Sequence, residues 1–420
     1  MRGMVTHEGV SWRGLQILGG KSKGDNNSSR ACRASTAQGN TQLSMCWTLS
    51  ANSNSAKPSV QHTVMCTEHG LIAAHGIIER KGEDHFQSFA GGPPGPNPKT
   101  KVPFDVEIKK LDHYLFQIAG PTSLLVLEKA TGERLRDIRF LHFRDSSING
   151  IRTEVARIGM SGNLAYELHG PIEEGPAIYD AVYQAGQDLG IERLGWSTYL
   201  VNHVEGGFPQ GTWTFVPAVA PTRWPEMMKF WQVSGSVDPT NMRARTRTPV
   251  EVRWHNMAKF DHDFIGREAL SAEMANPKRT TVTLRWNPDD VIDTYASLLR
   301  PGNAYKPIDL PYAPQRWPMA HADRVVIDGR EVGYSSGTIY SFAFREFLSL
   351  GCLDIDVSNI DNEVVVHWGD HGGPIKNIRA TVARFPTSPR DATATLTSPP
   401  FVWAETLRSK MLLRRRLVRH

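Results

Sequence analysis

The chain has 420 residues, of which 40% are hydrophobic and 22% are charged, and its net charge is +5. A domain commonly holds roughly 100 to 200 residues, so this length predicts two or three domains, and the composition excludes a chain that is disordered throughout. The sequence contains no run of about 18 apolar residues that could span a bilayer, and its amino terminus lacks the apolar core of a secretory signal. We therefore expect a globular cytoplasmic protein without a membrane partner.

Residues 1–100 differ in composition from the rest of the chain. They are rich in Ser, Asn, Ala and Gly and show no helical or strand periodicity. Three of the four cysteines lie here, but no CxxC motif occurs, so neither a zinc site nor a redox motif is indicated. The stretch 90–98, AGGPPGPNP, is a breaker rich in Pro and Gly. We expect residues 1–100 to be poorly ordered.

From residue 101 the pattern is that of a structured protein with both helices and strands. The basic tail, residues 387–420, contains Arg414-Arg415-Arg416 and is typical of a solvated segment, so no nucleic-acid partner is predicted. In chain order we expect a strand over 114–119, a helix beginning at Thr122 or Ser123, strands over 138–144, 151–158 and 166–169, a helix over 175–189, a short helix over 267–275, and strands over 280–286, 324–327, 331–335, 353–357, 363–367 and 380–384.

Three motifs stand in order along this part of the chain. The first is RIGMSGNLAYE at 157–167, in which Gly159 and Gly162 permit a sharp turn and a close backbone approach to a flat ring. The second is NHVEGG at 202–207, and the third is KFDHDFIGRE at 259–268. Each string alone is weak, but their joint order is restrictive. Taken singly, the first is also compatible with a glycine-containing hairpin.

Together the three motifs resemble the folate-binding family of the glycine-cleavage aminomethyltransferase. The resemblance implies an α+β multi-domain fold with a carboxyl-terminal β-barrel domain. Because residues 1–100 do not match the family pattern, the first domain is expected to be incomplete. The implied division is a partial folate-binding domain over 101–215, a middle α+β region over 216–300, a barrel-like domain over 301–386 and the tail.

The resemblance also implies a set of residues that bind tetrahydrofolate. Glu205 matches the family glutamate whose carboxylate accepts from the 2-amino and ring N–H edge of the pterin, a pairing that suits an acceptor-only group. The other matching positions are Arg157, Met160, Gly162 and Tyr166. Taken alone, Met160 is equally compatible with a core methionine and Glu205 with a surface residue beside a turn.

Met160 and Asn163 depart from the Tyr-Thr-Gly-Glu that glycine-cleavage enzymes usually carry, and they resemble the branch that demethylates aromatic methyl ethers of the vanillate, syringate and methylgallate type. The implied reaction transfers a methyl group to tetrahydrofolate and releases a phenol. The leaving phenolate needs a hydrogen-bond donor, for which His255 and Tyr340 are the candidates. The alternatives are glycine-cleavage aminomethyl transfer, demethylation of a sulfonium compound and a catalytically inactive folate-binding remnant.

The string HWGDHGG at 367–373 also contains possible metal ligands. Its three glycines favour a turn over a helical face, so no metal site is predicted there. The predicted partner is a small aromatic substrate, and no obligate protein partner is expected.

Overall fold

The structure is a computed structural model that describes residues 3–5, 13–19, 59–82, 85–90, 106–223, 233–260, 264–308 and 321–387. The predicted breaker over residues 91–98, the tail beyond residue 387 and residues 261–263 of the third motif lie outside the described residues. The described chain contains a large curved sheet with helices and a closed barrel.

The large sheet contains ten strands. Its main path runs β3-β4-β5-β2-β6-β9-β8-β7, with every neighbouring pair antiparallel, while β1 pairs with β6 and β10. The strands are β1 (Gly3–Val5), β2 (Arg13–Gly19), β3 (Ser59–Cys66), β4 (Ile72–Arg80), β5 (His85–Ala90), β6 (Val106–Ala119), β7 (Phe143–Ile148), β8 (Ile151–Ala156), β9 (Ala165–Pro171) and β10 (Arg193–Leu194).

Helices α1 (Ser123–Thr131) and α2 (Gly175–Ala185) cover one face of this sheet. Their apolar side chains form one core with Tyr166 and Leu168 of β9. The next helices are α3 (Trp196–Glu205), α4 (Ala220–Arg223) and α5 (Arg267–Ala275). The alternation of side chains along a strand sends Glu167 and His169 to the face of β9 opposite these helices.

The second unit is a closed six-stranded barrel in the order β11-β14-β13-β12-β15-β16. Its strands are β11 (Arg279–Trp286), β12 (Asp323–Ile327), β13 (Arg330–Ser341), β14 (Glu346–Asp354), β15 (Glu363–Trp368) and β16 (Lys376–Ala383), and α6 (Pro288–Ala296) follows β11. Val282, Leu284 and Trp286 lie at alternate positions of β11 in the barrel core. The barrel predicted from the sequence is therefore confirmed.

The expectation that residues 1–100 are poorly ordered is wrong for residues 59–90. Strands β3, β4 and β5 occupy this range and belong to the large sheet. Val60, Val64 and Ile72 are fully buried. The strand signal was missed because polar residues such as His62 and His75 stand among the apolar ones and break their alternation. The first domain therefore contains strands in a range where the sequence analysis expected the domain to be incomplete.

Two predicted strands are displaced, and three helices, α3, α4 and α6, were not predicted. The strand expected over 138–144 begins only at Phe143, because Leu141 has a positive φ of 62° that extended backbone does not allow. The strand expected over 353–357 is the end of β14 followed by a 3-10 helix, Ile355–Val357. Helix α6 was missed although Asn287 caps it through its side-chain oxygen.

Candidate active site

Glu205 is the last residue of α3, and its carboxylate is buried against the barrel. It is 7% exposed, and Oε1 accepts a hydrogen bond of 2.6 Å from the hydroxyl of Ser341 at the end of β13. Burial raises the pKa of Glu205, and the hydrogen bond from Ser341 opposes that shift. Since each carboxylate oxygen can accept more than one hydrogen bond, Glu205 can still accept from a ligand with paired N–H donors.

The first and second motifs meet next to Glu205. A Cβ on Gly206 would lie 2.4 Å from the carbonyl oxygen of Met160 and 2.8 Å from the carbonyl carbon of Ser161, so the two backbones touch. Gly162 follows with a φ of 73° and completes the turn. Met160 remains partly exposed. The structure therefore brings the backbone of Met160 against the end of α3, where Glu205 lies, and their binding of the cofactor stays a prediction.

Tyr166 and Arg157, also predicted to bind the cofactor, lie elsewhere. Tyr166 is completely buried in the core beneath α1 and α2, and burial raises its pKa to about 12. Arg157 is 6% exposed, and its Nη1 donates to the carbonyl oxygen of Ile138 at 3.3 Å. These positions favour packing and loop bracing for both residues.

The two predicted catalytic residues are not brought to Glu205 either. Tyr340 packs on the rings of Phe342 and Phe347, and strand alternation gives the Glu205 contact to Ser341 instead. His255 begins a 3-10 helix, His255–Met257. Trp254 before it and Met257 after it belong to the group of side chains described next.

Histidine, aromatic and sulfur side chains pack together in a partly exposed group next to α3. We call this the aromatic recess and define it by His62, His75, Phe208, Trp254 and Met257. The His62 ring lies 4.7 Å from Trp254 and 4.8 Å from Phe208, and the His75 ring lies 5.0 Å from Trp254. Both histidines keep part of their surface exposed. Because Val64 pairs with His75 and His62 pairs with Ile77, the two histidines are diagonal neighbours on one face of β3 and β4.

Three contacts fix the tautomers of both histidines. The backbone N–H of Gly211 donates to Nε2 of His75 at 3.1 Å. A neutral imidazole has a single N–H, so that of His75 is on Nδ1 and donates to Nε2 of His62, 3.1 Å away. The N–H of His62 is then on Nδ1, 3.2 Å from Sδ of Met257. The chain of hydrogen bonds therefore ends at the Nδ1–H of His62, which contacts the sulfur of Met257, a weak acceptor.

Both histidines are neutral at ordinary pH. Burial lowers the pKa of His75 to about 4. Burial also holds the pKa of His62 well below its usual value, and the electrostatic influence of His75 and His203 lowers this pKa further. The neutral forms are those that the hydrogen-bond chain requires.

The aromatic recess and Glu205 are joined through the end of α3. His203 lies two residues before Glu205, its ring is 5.7 Å from Phe208, and its carbonyl accepts from the N–H of Phe208 at 2.8 Å. One short turn thus carries both a buried carboxylate and a wall of the recess. His62 and His75 were missed from the sequence because they lie in the segment interpreted as poorly ordered.

The chain is similar to known proteins over most of its length. Residues 35–214 match the profile of the GCVT N-terminal domain. A sesamin methylene transferase of Sinomonas sp. (strain No.22) is 36% identical over 353 residues, which cover 78% of this chain and 77% of that protein. The chain belongs to the GCVT family. The profile match begins at residue 35, so the expectation that the first 100 residues lie outside the family is wrong for residues 35–100.

Two further relatives extend this GCVT-family assignment. A syringate O-demethylase of Sphingobium sp. (strain NBRC 103272 / SYK-6) is 30% identical over 293 residues, which cover 66% of this chain and 63% of that protein. The crystal structure of glycine cleavage system aminomethyltransferase T from Bartonella henselae aligns with a TM-score of 0.57 at 15% identity, over 92% of this chain and 86% of that one. The aminomethyltransferase-like fold predicted from the motifs is thereby confirmed.

A buried network of charged side chains connects β4 and β9, which are not neighbours in the large sheet. Nδ1 of His169 on β9 lies 2.9 Å from Glu79 of β4 and 3.4 Å from Glu154, and its Nε2 lies 3.3 Å from Glu167. The ammonium of Lys81 contacts Glu79 at 2.7 Å and also contacts Glu154. Glu79, Glu154 and His169 could geometrically hold a metal ion. Lys81 already supplies a cation there, so we interpret the group as an ion-pair network.

The string HWGDHGG forms the end of β15 and the turn after it. Asp370 accepts from Lys306 at 2.7 Å, and His367 lies 3.3 Å from a guanidinium nitrogen of Arg324. These side chains therefore have partners of their own. Within the part of the chain that the structure describes, no helix is long and apolar enough to cross a membrane.

Proposed function

We propose that this protein transfers the methyl group of an aromatic methyl ether, of the vanillate, syringate or methylgallate type, to tetrahydrofolate. The observation that carries the proposal is the neutral His62, whose Nδ1–H contacts Met257 in the aromatic recess, which is connected through His203 and Phe208 to the end of α3, where Glu205 lies. The similarity to a syringate O-demethylase supports the same substrate class.

The residues at the end of α3 fit a reduced pterin. Glu205 offers a desolvated carboxylate that Ser341 orients, and the close contact of Gly206 with Met160 leaves a flat backbone wall beside it. Paired N–H donors on a heterocycle match such a carboxylate bidentately. When bound, tetrahydrofolate supplies the N5 nucleophile that accepts the one-carbon group.

The residues of the aromatic recess fit the other reactant. The rings of Phe208 and Trp254 can hold an aryl group by stacking, and the groups that contact His62 are uncharged. When the bond between the ether oxygen and its methyl carbon breaks, negative charge develops on that oxygen. The Nδ1–H of His62 can stabilise this charge by hydrogen bonding, and the phenol finally carries the proton that N5 loses.

A second candidate function follows from the relative that is 36% identical. That protein is a sesamin methylene transferase. The same recess and donor would suit an aromatic substrate whose oxygens are bridged by a methylene group. The two functions differ in the oxidation level of the carbon that reaches tetrahydrofolate.

The deciding experiment is an incubation of purified protein with tetrahydrofolate and vanillate, syringate or a methylene-bridged aromatic compound, followed by mass spectrometry of both products. Formation of 5-methyl-tetrahydrofolate and a demethylated phenol supports the proposal. Formation of methylene-tetrahydrofolate supports the second candidate. Tight folate binding without turnover would favour an inert folate-binding protein, and turnover of the glycine-cleavage intermediate would favour aminomethyl transfer.

Replacing Glu205 by glutamine is expected to weaken tetrahydrofolate binding by about 10- to 100-fold, since a hydrogen bond to a charged group contributes roughly 1.5–3 kcal/mol. The amide keeps the size of the side chain but turns one acceptor into a donor that opposes the pterin N–H groups. Isothermal titration calorimetry measures the change.

The matched control for this variant is Glu363→Gln, an exposed glutamate on β15, which should bind tetrahydrofolate like the wild type. Because burial raises the pKa of Glu205, wild-type affinity should also fall with decreasing pH, starting above the usual titration range of a glutamate. Equal affinity of the wild type and Glu205→Gln would contradict the assignment of this carboxylate.

A further inference from the structure

We infer that His75 is a positioning residue that fixes the tautomer of His62 and so aims its Nδ1–H into the aromatic recess. The consequence for catalysis rests on the proposed function, but the tautomer is a property of the protein alone. His75 itself need not touch the substrate.

The argument begins at Gly211, whose backbone N–H can only donate. Its hydrogen bond of 3.1 Å makes Nε2 of His75 an acceptor and leaves the proton on Nδ1. A Cβ on Gly211 would lie 3.1 Å from that same Nε2, so the turn is held close to the imidazole. Because this anchor is backbone rather than a side chain, the orientation of His75 does not depend on a flexible partner.

The second step is the contact between the two rings. Nδ1 of His75 and Nε2 of His62 are 3.1 Å apart, so one of the two must carry the proton. With the proton on His75, His62 accepts at Nε2 and must donate at Nδ1. Without His75, His62 could equally carry its proton on Nε2. Its Nδ1 lone pair would then face the recess and repel an oxygen on which negative charge develops.

The third step is the partner of the His62 donor. A thioether is a weak hydrogen-bond acceptor, so the contact with Sδ of Met257 is easily exchanged for one with an oxygen that becomes negatively charged. The titratable groups that face His62 are His75 and His203, and burial keeps the pKa values of His62 and His75 low, so the pair stays neutral. The arrangement resembles catalytic triads, in which a third group holds a histidine in its productive tautomer.

The test compares wild type with His75→Phe and His75→Gln. Phenylalanine preserves the ring but removes both hydrogen bonds. Glutamine can accept from Gly211 through its oxygen and donate to His62 through its nitrogen. Two-dimensional NMR of protein labelled with ¹⁵N at histidine distinguishes the protonated from the bare ring nitrogen of His62 without any ligand.

We expect His62 to be protonated at Nδ1 in the wild type and in His75→Gln, and to show the Nε2–H form or a mixture in His75→Phe. The turnover rate of His75→Phe should fall by about 10²-fold or more with tetrahydrofolate affinity unchanged, and His75→Gln should recover most of it. An Nε2–H form of His62 in the wild type, or an unchanged tautomer in His75→Phe, would overturn the inference. If the wild type shows no turnover, the proposed function fails, while the tautomer result still decides the role of His75.

Discussion

Replacing His62 by phenylalanine is expected to lower the rate of one-carbon transfer by about 10²- to 10³-fold, the usual effect of removing one donor that stabilises a developing oxyanion. Phenylalanine keeps the ring contacts with Phe208 and Trp254, so the shape of the recess should survive. The substitution removes the Nδ1–H of His62, which contacts Sδ of Met257. Single-turnover kinetics with saturating tetrahydrofolate measures the effect on the transfer step itself.

The control for this variant is His371→Phe. His371 has a side chain that is 52% exposed in the turn after β15, and its replacement should leave the transfer rate within about two-fold of wild type because exposed substitutions away from special features have small effects. Tetrahydrofolate affinity should be unchanged in both variants, since Glu205 is intact. A rate for His62→Phe close to that of wild type would show that another group stabilises the leaving oxygen.

The sequence predicted those features that depend on local chemistry. Helix α5 lies where its pattern placed it, over Arg267–Ala275, and five of the six barrel strands were recognised, the exception being β14. The motif containing Glu205 also led to a buried carboxylate beside a close glycine contact. These features have signals in a few consecutive residues, which is why they could be identified without the fold.

The aromatic recess could not be predicted in the same way because it is assembled from distant segments. His62 and Met257 are 195 residues apart in the chain, and His75 and Gly211 are 136 apart. On β3 and β4 the histidines occupy positions where an ordinary core strand would carry apolar residues. The two histidines therefore weakened the apolar alternation by which β3 and β4 could be recognised in the sequence.

The same strands bear on the inert-remnant alternative. That alternative depended on a first domain that lacks the part which residues before 100 should form. Strands β3 and β4 lie in that range and contribute His62 and His75 to the recess. Since the recess is lined from both this hairpin and the segment containing Trp254, the main reason for expecting inactivity is removed.

Replacing His169 by leucine is expected to lower the free energy of unfolding by about 3–5 kcal/mol, because removing one partner of a buried ion pair leaves the other charge uncompensated. His169 is 2% exposed and contacts Glu79, Glu154 and Glu167. Although burial alone would lower the pKa of His169, the charge of Glu79 and the hydrogen bonds that His169 donates to the carboxylates around it raise it well above 6.5. Urea denaturation measures the loss.

The pH dependence separates this ion pair from a simple packing defect. A histidine with a raised pKa stabilises the fold fully below its unfolded value of about 6.5, and this contribution is lost as the pH rises through the folded value. Burial would raise the pKa of Glu79, but the charges of His169 and Lys81 and their hydrogen bonds to the carboxylate together lower it, so its contribution is lost in acid. The stability difference between wild type and His169→Leu should therefore be largest near pH 5 to 6 and decrease in alkali.

A double variant, His169→Leu with Glu79→Leu, should be more stable than His169→Leu alone. The first change leaves Lys81 to compensate both Glu79 and Glu154, and the second removes one of these two carboxylates. The matched surface control is Arg152→Leu, which breaks an exposed pair with Asp145 and should change stability by about 1 kcal/mol or less. If the single and double variants are equally unstable at every pH, the network acts through volume and not through charge. If the double variant recovers stability, the charge of His169 is what holds β9 against β4.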